Sequence, residues 1–419
     1  MSDHPDLRTA AHQLFHAAVA AADPHKAMIR AMEDAPLPDA PGRTFLIAVG
    51  KAAPAMMQAA LEHVSGPHEA LVVTHHENHA DCPGATIMHA GHPVPDAGGE
   101  AAGQAVMALL SMAGPHDRVV ALISGGGSAL LPAPVPGVSL ADKAAVNRLL
   151  LESGLDIVKM NLVRQQLSQL KGGGMLRLAA PAPVTAYILS DVIGDDLRAI
   201  ASGPTVSPIG TASEALALLE QVGVADRLPQ SVRAHLEAGH TPPPAPEARN
   251  IIIGSNGKSL AAMAEAAAQL WSPEIVSDHL TGDVEDAANE VLATLKRPDG
   301  PKVWLFGGET TVRLKGTGLG GRNQELALRV ARMAPAVDFD WCFLSGGTDG
   351  RDGPTDAAGA IVDAGTVARI AAAGQDVDAL LANNDSYAAL KAAGDLLVTE
   401  ATGTNVADVQ ALIAVPSKG

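Results

Sequence analysis

Several turns in this 419-residue sequence carry side chains suited to gripping an anion. Gly50-Lys51 sits where the apolar run 45–49 gives way to an alanine-rich helical stretch, 52–64. A lysine beside the exposed N–H groups of a helix start is unfavourable unless an anion compensates, and it strengthens the pull of those groups on negative charge. Ser124-Gly125-Gly126-Gly127-Ser128 follows the run 119–123; successive glycines let backbone N–H groups converge on a carboxylate or phosphate, with the flanking hydroxyls as further donors. A second glycine-rich loop, 316–321, delivers Arg322 to the start of a helix, where its fork suits two oxygens of a carboxylate or phosphoryl group. Asp349, Asp352 and Asp356 fall in one turn after the run 341–344, and Glu309 follows Gly307-Gly308 after 303–306. Rigidly held carboxylates at a strand end suit Mg2+, which takes one or two of them together with substrate phosphates and water. Asp191 stands at the end of the run 187–189, and the segment 159–174 reads as a helix with Asn161, Arg164, Ser168 and Lys171 on one face, of which Arg164 and Lys171 are candidate anion donors.

Each feature also has a structural reading. Three glycines make a tight turn, Arg322 can pair with Glu325, turn aspartates are often merely solvated, and a polar helix face usually looks at water. Two further patterns carry less. Gly254-Ser255-Asn256-Gly257-Lys258-Ser259 ends like a phosphate-wrapping P-loop but has two residues between its glycines where that motif needs four. The stretch from His75 to Cys82 has the composition of a zinc site without a second ligand pair at recognisable spacing.

The elements that position these turns are short continuous apolar runs, as expected of strands buried on both faces of a parallel α/β sheet, whose ligands bind beyond the strands' carboxyl ends. Strand candidates at 45–49, 71–73, 86–88, 119–123 and 184–189 alternate with helical stretches at 100–112 and 141–152, which implies βαβ units. A second strand set at 251–253, 303–306, 341–344 and 396–398 carries helices near 259–271, 284–295 and 324–333. The proline run 241–246 is the best linker. The expected class is α/β, with a lobe at 1–240, a linker at 241–250 and a second lobe at 251–419, and a ligand cleft between the lobes.

Composition narrows the partners. A net charge of −17 repels nucleic-acid backbones and anionic membranes over most of the surface, which leaves small molecules. Cys82 and Cys342 are too few for a disulfide framework, which suits a reducing cytoplasm. The N-terminus lacks a signal-peptide core, and no stretch approaches the ~18 apolar residues of a membrane span.

Taken in order, the motifs resemble a known family. Val49-Gly50-Lys51, Gly91-His92-Pro93-Val94-Pro95-Asp96, the 122–131 stretch around the three glycines, Asn161 through Lys171-Gly172-Gly173, Ser190-Asp191 with Ser202-Gly203-Pro204-Thr205, Gly307-Gly308-Glu309, Gly320-Gly321-Arg322-Asn323-Gln324-Glu325 and 347–359 together are similar to the MOFRL-type glycerate 2-kinases, from about residue 44 to 406. The resemblance implies a Rossmann-like N-terminal lobe, a C-terminal MOFRL lobe, and phosphorylation of D-glycerate at its C2 hydroxyl by ATP with Mg2+. It implies catalytic roles for Lys51 and Arg322, gripping the γ-phosphoryl oxygens. Asp191 is then the group that orients or deprotonates the hydroxyl, the 124–128 nest holds glycerate's carboxylate or an ATP phosphate, and Asp349 and Glu309 are the candidate magnesium ligands. Self-association is left open. The chain departs from the family where Glu400-Ala401 replaces Gly-Pro, which removes a permissive turn residue and a fixed φ and predicts a shifted path there. The rival readings are an NAD(P)H-dependent hydroxypyruvate reductase and a non-catalytic metabolite sensor. Nicotinamide binding wants Gly-x-Gly-x-x-Gly after the first strand, and Gly50-Lys51-Ala52-Ala53-Pro54 does not supply it.

Overall fold

A computed structural model describes residues 6–416 of the chain. They divide into two compact units: one runs from Pro24 to Ile253, the other joins the N-terminal segment through Asp23 to everything from Gly254 onward.

The first unit is built on β1 (Thr44–Val49), β2 (His68–His75), β3 (Thr86–Ala90), β4 (Arg118–Ile123), β5 (Val184–Leu189) and β6 (Arg249–Gly254), in the order β3-β2-β1-β4-β5-β6. Pairing from β3 through β5 is parallel throughout. Every residue of β1 and β5 is buried, as a strand covered on both faces requires, and this is why they read as unbroken apolar runs. Because β2 follows β1 in sequence but β4 lies on its other side, the strand order reverses between β1 and β4. Such a switch point leaves a crevice beyond the carboxyl ends. The register sets Val49 opposite Ile123, so Gly50-Lys51 and Ser124-Gly125 leave the sheet at the same level. A separate apolar cluster, including Val146, Leu149, Leu150, Val163, Leu167 and Leu219, seats the helices Leu140–Glu152 and Ile157–Gln166.

The second unit holds a mixed sheet of β7 (Ser272–Asp283), β8 (Lys302–Thr311), β9 (Phe339–Gly347), β10 (Gly359–Asp363), β11 (Leu396–Leu397) and β12 (Asp408–Pro416), ordered β11-β10-β9-β12-β8-β7. The last strand is central: β12 is antiparallel to both β8 and β9. Helices Leu7–Ala21 and Asn256–Ala267 pack one face of the sheet through Leu14, Phe15, Leu260 and Met263, while Val284–Thr294 and Arg322–Met333 pack the other.

The division differs from the expected boundaries in two places. Helix Leu7–Ala21 belongs to the second unit, where Ala11, Phe15 and Ala18 are buried, so chain order misplaced it in the 1–240 lobe. The proline run lies inside the first unit and leads into β6, which completes the first sheet. The segment 159–174 is not one helix: it ends at Gln166. There Ser168 Oγ donates to the Pro132 carbonyl and the Gln169 side-chain amide to the Pro134 carbonyl, bonds that compete with helical ones. Nor is this a solvated face, since Asn161, Ser168 and Lys171 are all buried.

Candidate active site

In the first unit, Lys51 emerges directly beyond β1 and its backbone N–H donates to the Gly125 carbonyl at 2.9 Å, tying the two switch-point turns together. Gly50 has a φ of +127° and lies so close to Ser124 that a β-carbon would meet its hydroxyl at 2.1 Å. The Ser124 hydroxyl accepts the Ala52 N–H at 3.1 Å and donates to the Val49 carbonyl at 3.4 Å. It therefore braces the turn instead of facing a ligand, a correction to its expected role as a donor. Ser128 Oγ is likewise engaged, 2.6 Å from Ser202 Oγ, which donates to Asn161 Oδ1 at 2.9 Å. What this turn offers an anion is glycine backbone, at Gly125, Gly126 and Gly127, beside a lysine.

Asp191 comes against the same turn. A β-carbon on Gly125 would stand 2.3 Å from its Oδ2, so the absence of a side chain there admits the carboxylate. Burial pushes the Asp191 carboxyl above its ordinary value, partly offset by its own backbone N–H and by the Lys51 ammonium. Two histidines missing from the expected set stand close by. His92 lies 3.3 Å through Nε2 from where a Gly126 β-carbon would sit, and Lys51 Cγ lies 3.4 Å from the same point. Loss of hydration, then the Lys51 ammonium, hold both His75 and His92 below the usual imidazole value, so both are neutral near pH 7. The only sequence signal for His92 was its place in the 91–96 motif.

Arg164 and Lys171 meet in a cavity of about 200 Å³ beside the turn, together with Lys143 and Asn147, which the sequence reading missed. Arg164 donates through Nε and Nη2 to Asn147 Oδ1 at 3.0 and 2.6 Å, and Lys171 Nζ to the Ser128 carbonyl at 2.8 Å.

In the second unit, Arg322 opens its helix as expected, but its dipole argument is answered within the protein. Asp408 forks the guanidinium at 2.6 and 2.9 Å, and Glu309 meets Nη1 at 3.2 Å. Burial works against the charge, and the bonds to Asp408 outweigh it, so the pKa moves up. The helix N–H groups of Asn323 and Gln324 are taken by Asp352, whose burial pushes its carboxyl up to about 6. Register explains the meeting: Asp408 pairs with Gly308 of β8 and Gly347 of β9, next to Glu309 and the Asp349 turn. Asn256 donates to the Val406 and Asp408 carbonyls at 3.0 and 2.7 Å, so the P-loop-like segment fixes this strand end. Glu325 pairs with Arg329 and not with Arg322. The loop with Glu400-Ala401 still lies on the Asp349 turn, Thr402 Oγ1 donating to the Thr348 carbonyl at 2.6 Å.

No cluster of three or more metal-ligating side chains occurs among the described residues, the histidine-rich stretch included. Asp349 gives one oxygen to the Arg351 N–H at 3.0 Å and Glu309 is exposed beside Arg322. Two carboxylates of this kind suit a cation that arrives on phosphate and keeps much of its water. No helix among the described residues is long and apolar enough to cross a membrane.

A Rossmann-order sheet with a lysine and glycine turn at its switch point, joined in one chain to a mixed sheet carrying a carboxylate-held arginine, defines an α/β protein of the anion-handling kind. Residues 10–237 match a domain of unknown function, DUF4147, and residues 302–408 match the MOFRL family. A glycerate 2-kinase of Pyrococcus horikoshii is 36% identical, the match covering 99% of each chain. A protein of Agrobacterium vitis with the provisional name hydroxypyruvate reductase is 40% identical over 97% of this chain and 94% of its own. The crystal structure of a glycerate kinase from Thermotoga maritima superposes with a TM-score of 0.90 at 37% identity, covering 98% of this chain and 99% of that one. The chain belongs to the MOFRL-type glycerate 2-kinase family.

Proposed function

We propose that this enzyme transfers the γ-phosphoryl group of ATP to the C2 hydroxyl of D-glycerate, giving 2-phosphoglycerate and ADP. The observation that carries the reading is the switch-point turn. There an exposed lysine, three successive glycines and a buried carboxylate stand together. Phosphoryl transfer asks little covalent chemistry of a protein; it needs in-line positioning and cations for the charge on the moving group. In this reading the C2 hydroxyl passes its proton to Asp191 as its oxygen attacks phosphorus, and the bond to the bridging β–γ oxygen breaks with its electron pair leaving on ADP. Lys51 and Arg322 neutralise the phosphoryl oxygens, the latter by exchanging its exposed Glu309 partner for them. Gly125, Gly126 and Gly127 hold a carboxylate or phosphate with backbone N–H groups, and Arg164 and Lys171 bind substrate anion. Asp349 and Glu309 would hold Mg2+ arriving with the nucleotide, and the ion would supply further neutralisation.

Hydroxypyruvate reduction fits less well, because the first strand-to-helix turn, Gly50-Lys51-Ala52-Ala53-Pro54, has Ala52 where close approach to a pyrophosphate calls for glycine. A coupled assay separates the readings. Glycerate-dependent ADP release without NADH or NADPH oxidation is expected; nicotinamide oxidation with hydroxypyruvate, or no turnover with either substrate, contradicts the proposal.

A further inference from the structure

The cavity beside the nest is unusual for its charge. Lys143, Arg164 and Lys171 all line it, and no carboxylate does. Of the other half-buried arginines, Arg8, Arg322, Arg329 and Arg369 each meet aspartate or glutamate, while Arg118 and Arg177 meet neutral oxygens. Here every partner is neutral. Lys143 Nζ donates to the Pro132 carbonyl and, at 3.2 Å, to the Leu167 carbonyl, and Lys171 to the Ser128 carbonyl. The Arg164 fork is held by an asparagine amide where a carboxylate would ordinarily sit. Lys143 and Lys171 are only 7% and 4% exposed, so water does little to screen them. Three cations drawn out of water without a counter-charge are costly, and the arrangement makes sense when an anion completes it.

We propose that this cavity seats the carboxylate of the acceptor substrate, and that Lys143 and Asn147 act as specificity-determining residues for a small hydroxy acid. The inference rests on the phosphoryl-transfer reading above and decides which anion goes where. At about 200 Å³ the cavity is below the roughly 300–1,000 Å³ of sites for larger ligands, so it suits a three-carbon acid and not a nucleotide. Its other walls, Val146, Leu150 and Leu167, suit the carbon skeleton. Gly126 lines the same cavity and lies against Lys51, so an acid held by its carboxylate among the three cations presents its hydroxyl end toward that lysine. The glycine nest is then left for nucleotide phosphate.

Binding should also be proton-linked. The titratable groups lining the cavity are Lys143, Arg164, Lys171 and His92. Burial, then Arg164, brings Lys171 down to about 7, and burial with both neighbouring cations lowers Lys143 well below its usual value. An entering carboxylate favours their charged forms, so protons are taken up on binding and affinity falls as pH rises above about 7.

The test is calorimetric titration of the full chain with D-glycerate and, separately, with ADP, at pH 8 in two buffers of different ionisation enthalpy. The wild type should bind glycerate with net proton uptake. Lys143→Met and Arg164→Lys should each weaken glycerate at least tenfold while ADP affinity stays within twofold. Asn147→Ala, which keeps all three cations but frees the Arg164 fork, should weaken glycerate several-fold and provides the test if a buried-lysine variant melts early. Unchanged glycerate affinity in the folded variants overturns the assignment. Loss of ADP affinity instead also overturns it and gives the cavity to nucleotide phosphate. If glycerate binding behaves as expected but no ADP is ever released with it, the cavity stands and the kinase reading falls.

Discussion

Lys51 and Asp191 both stand against the Gly125 turn, and the chemistry asks opposite things of them: a cation for charge building on the phosphoryl group, and an acceptor for a hydroxyl proton. Lys51→Ala should lower kcat by tenfold or more with an unchanged melting profile, since an exposed lysine on a turn contributes little to packing. Steady-state kinetics at saturating substrates check this, and near-normal turnover removes Lys51 from the reaction. For Asp191, burial raises the carboxyl above 3.8. A base works only when deprotonated, so kcat/KM should fall as pH drops through that raised value. Asp191→Asn should lower kcat by about 100-fold and abolish this acid limb; a variant that keeps the limb shows that another group produces it. Lys51 and Asp191 stood out in the sequence because each follows an apolar run, and Arg322 because a glycine-rich loop delivers it to a helix start. Lys143, Asn147 and Asp408 did not. They reach their partners through helix seating or strand register, and no local spacing encodes that.

At the scale of elements, the parallel sheet was legible because strands buried on both faces are apolar end to end. Strands β7 and β12 were missed for opposite reasons: β7 is largely exposed, and β12 is central only because β8 and β9 accept it. Helix Leu7–Ala21 is the other case where tertiary structure decides. Its Arg8 side chain meets Asp363, meets Asp395 at 2.7 Å and donates to the Ile361 carbonyl at 2.6 Å, while Arg369 holds the same two aspartates. Arg8→Ala should destabilise the second unit by about 2 kcal/mol, the scale of hydrogen bonds to a charged group, because Arg369 keeps the aspartates from being orphaned. Urea unfolding followed by far-ultraviolet circular dichroism measures it, and a midpoint equal to wild type contradicts this role for the helix.

Across the whole molecule, each unit sets a cation against acidic side chains near the ends of its central strands: Lys51 with Asp191 in one, Arg322 with Asp408 and Glu309 in the other. Against the −17 net charge, the cavity lined by Lys143, Arg164 and Lys171 is the local positive site where an anionic substrate is admitted. Which hydroxyl receives the phosphate is the centre of the account, and phosphorus NMR of the product formed from D-glycerate and ATP reads it directly. The proposal requires the product's phosphorus resonance to couple to a single proton, as a phosphate on the C2 oxygen does; coupling to the two protons of C3, or an ATP spectrum that glycerate leaves unchanged, contradicts it.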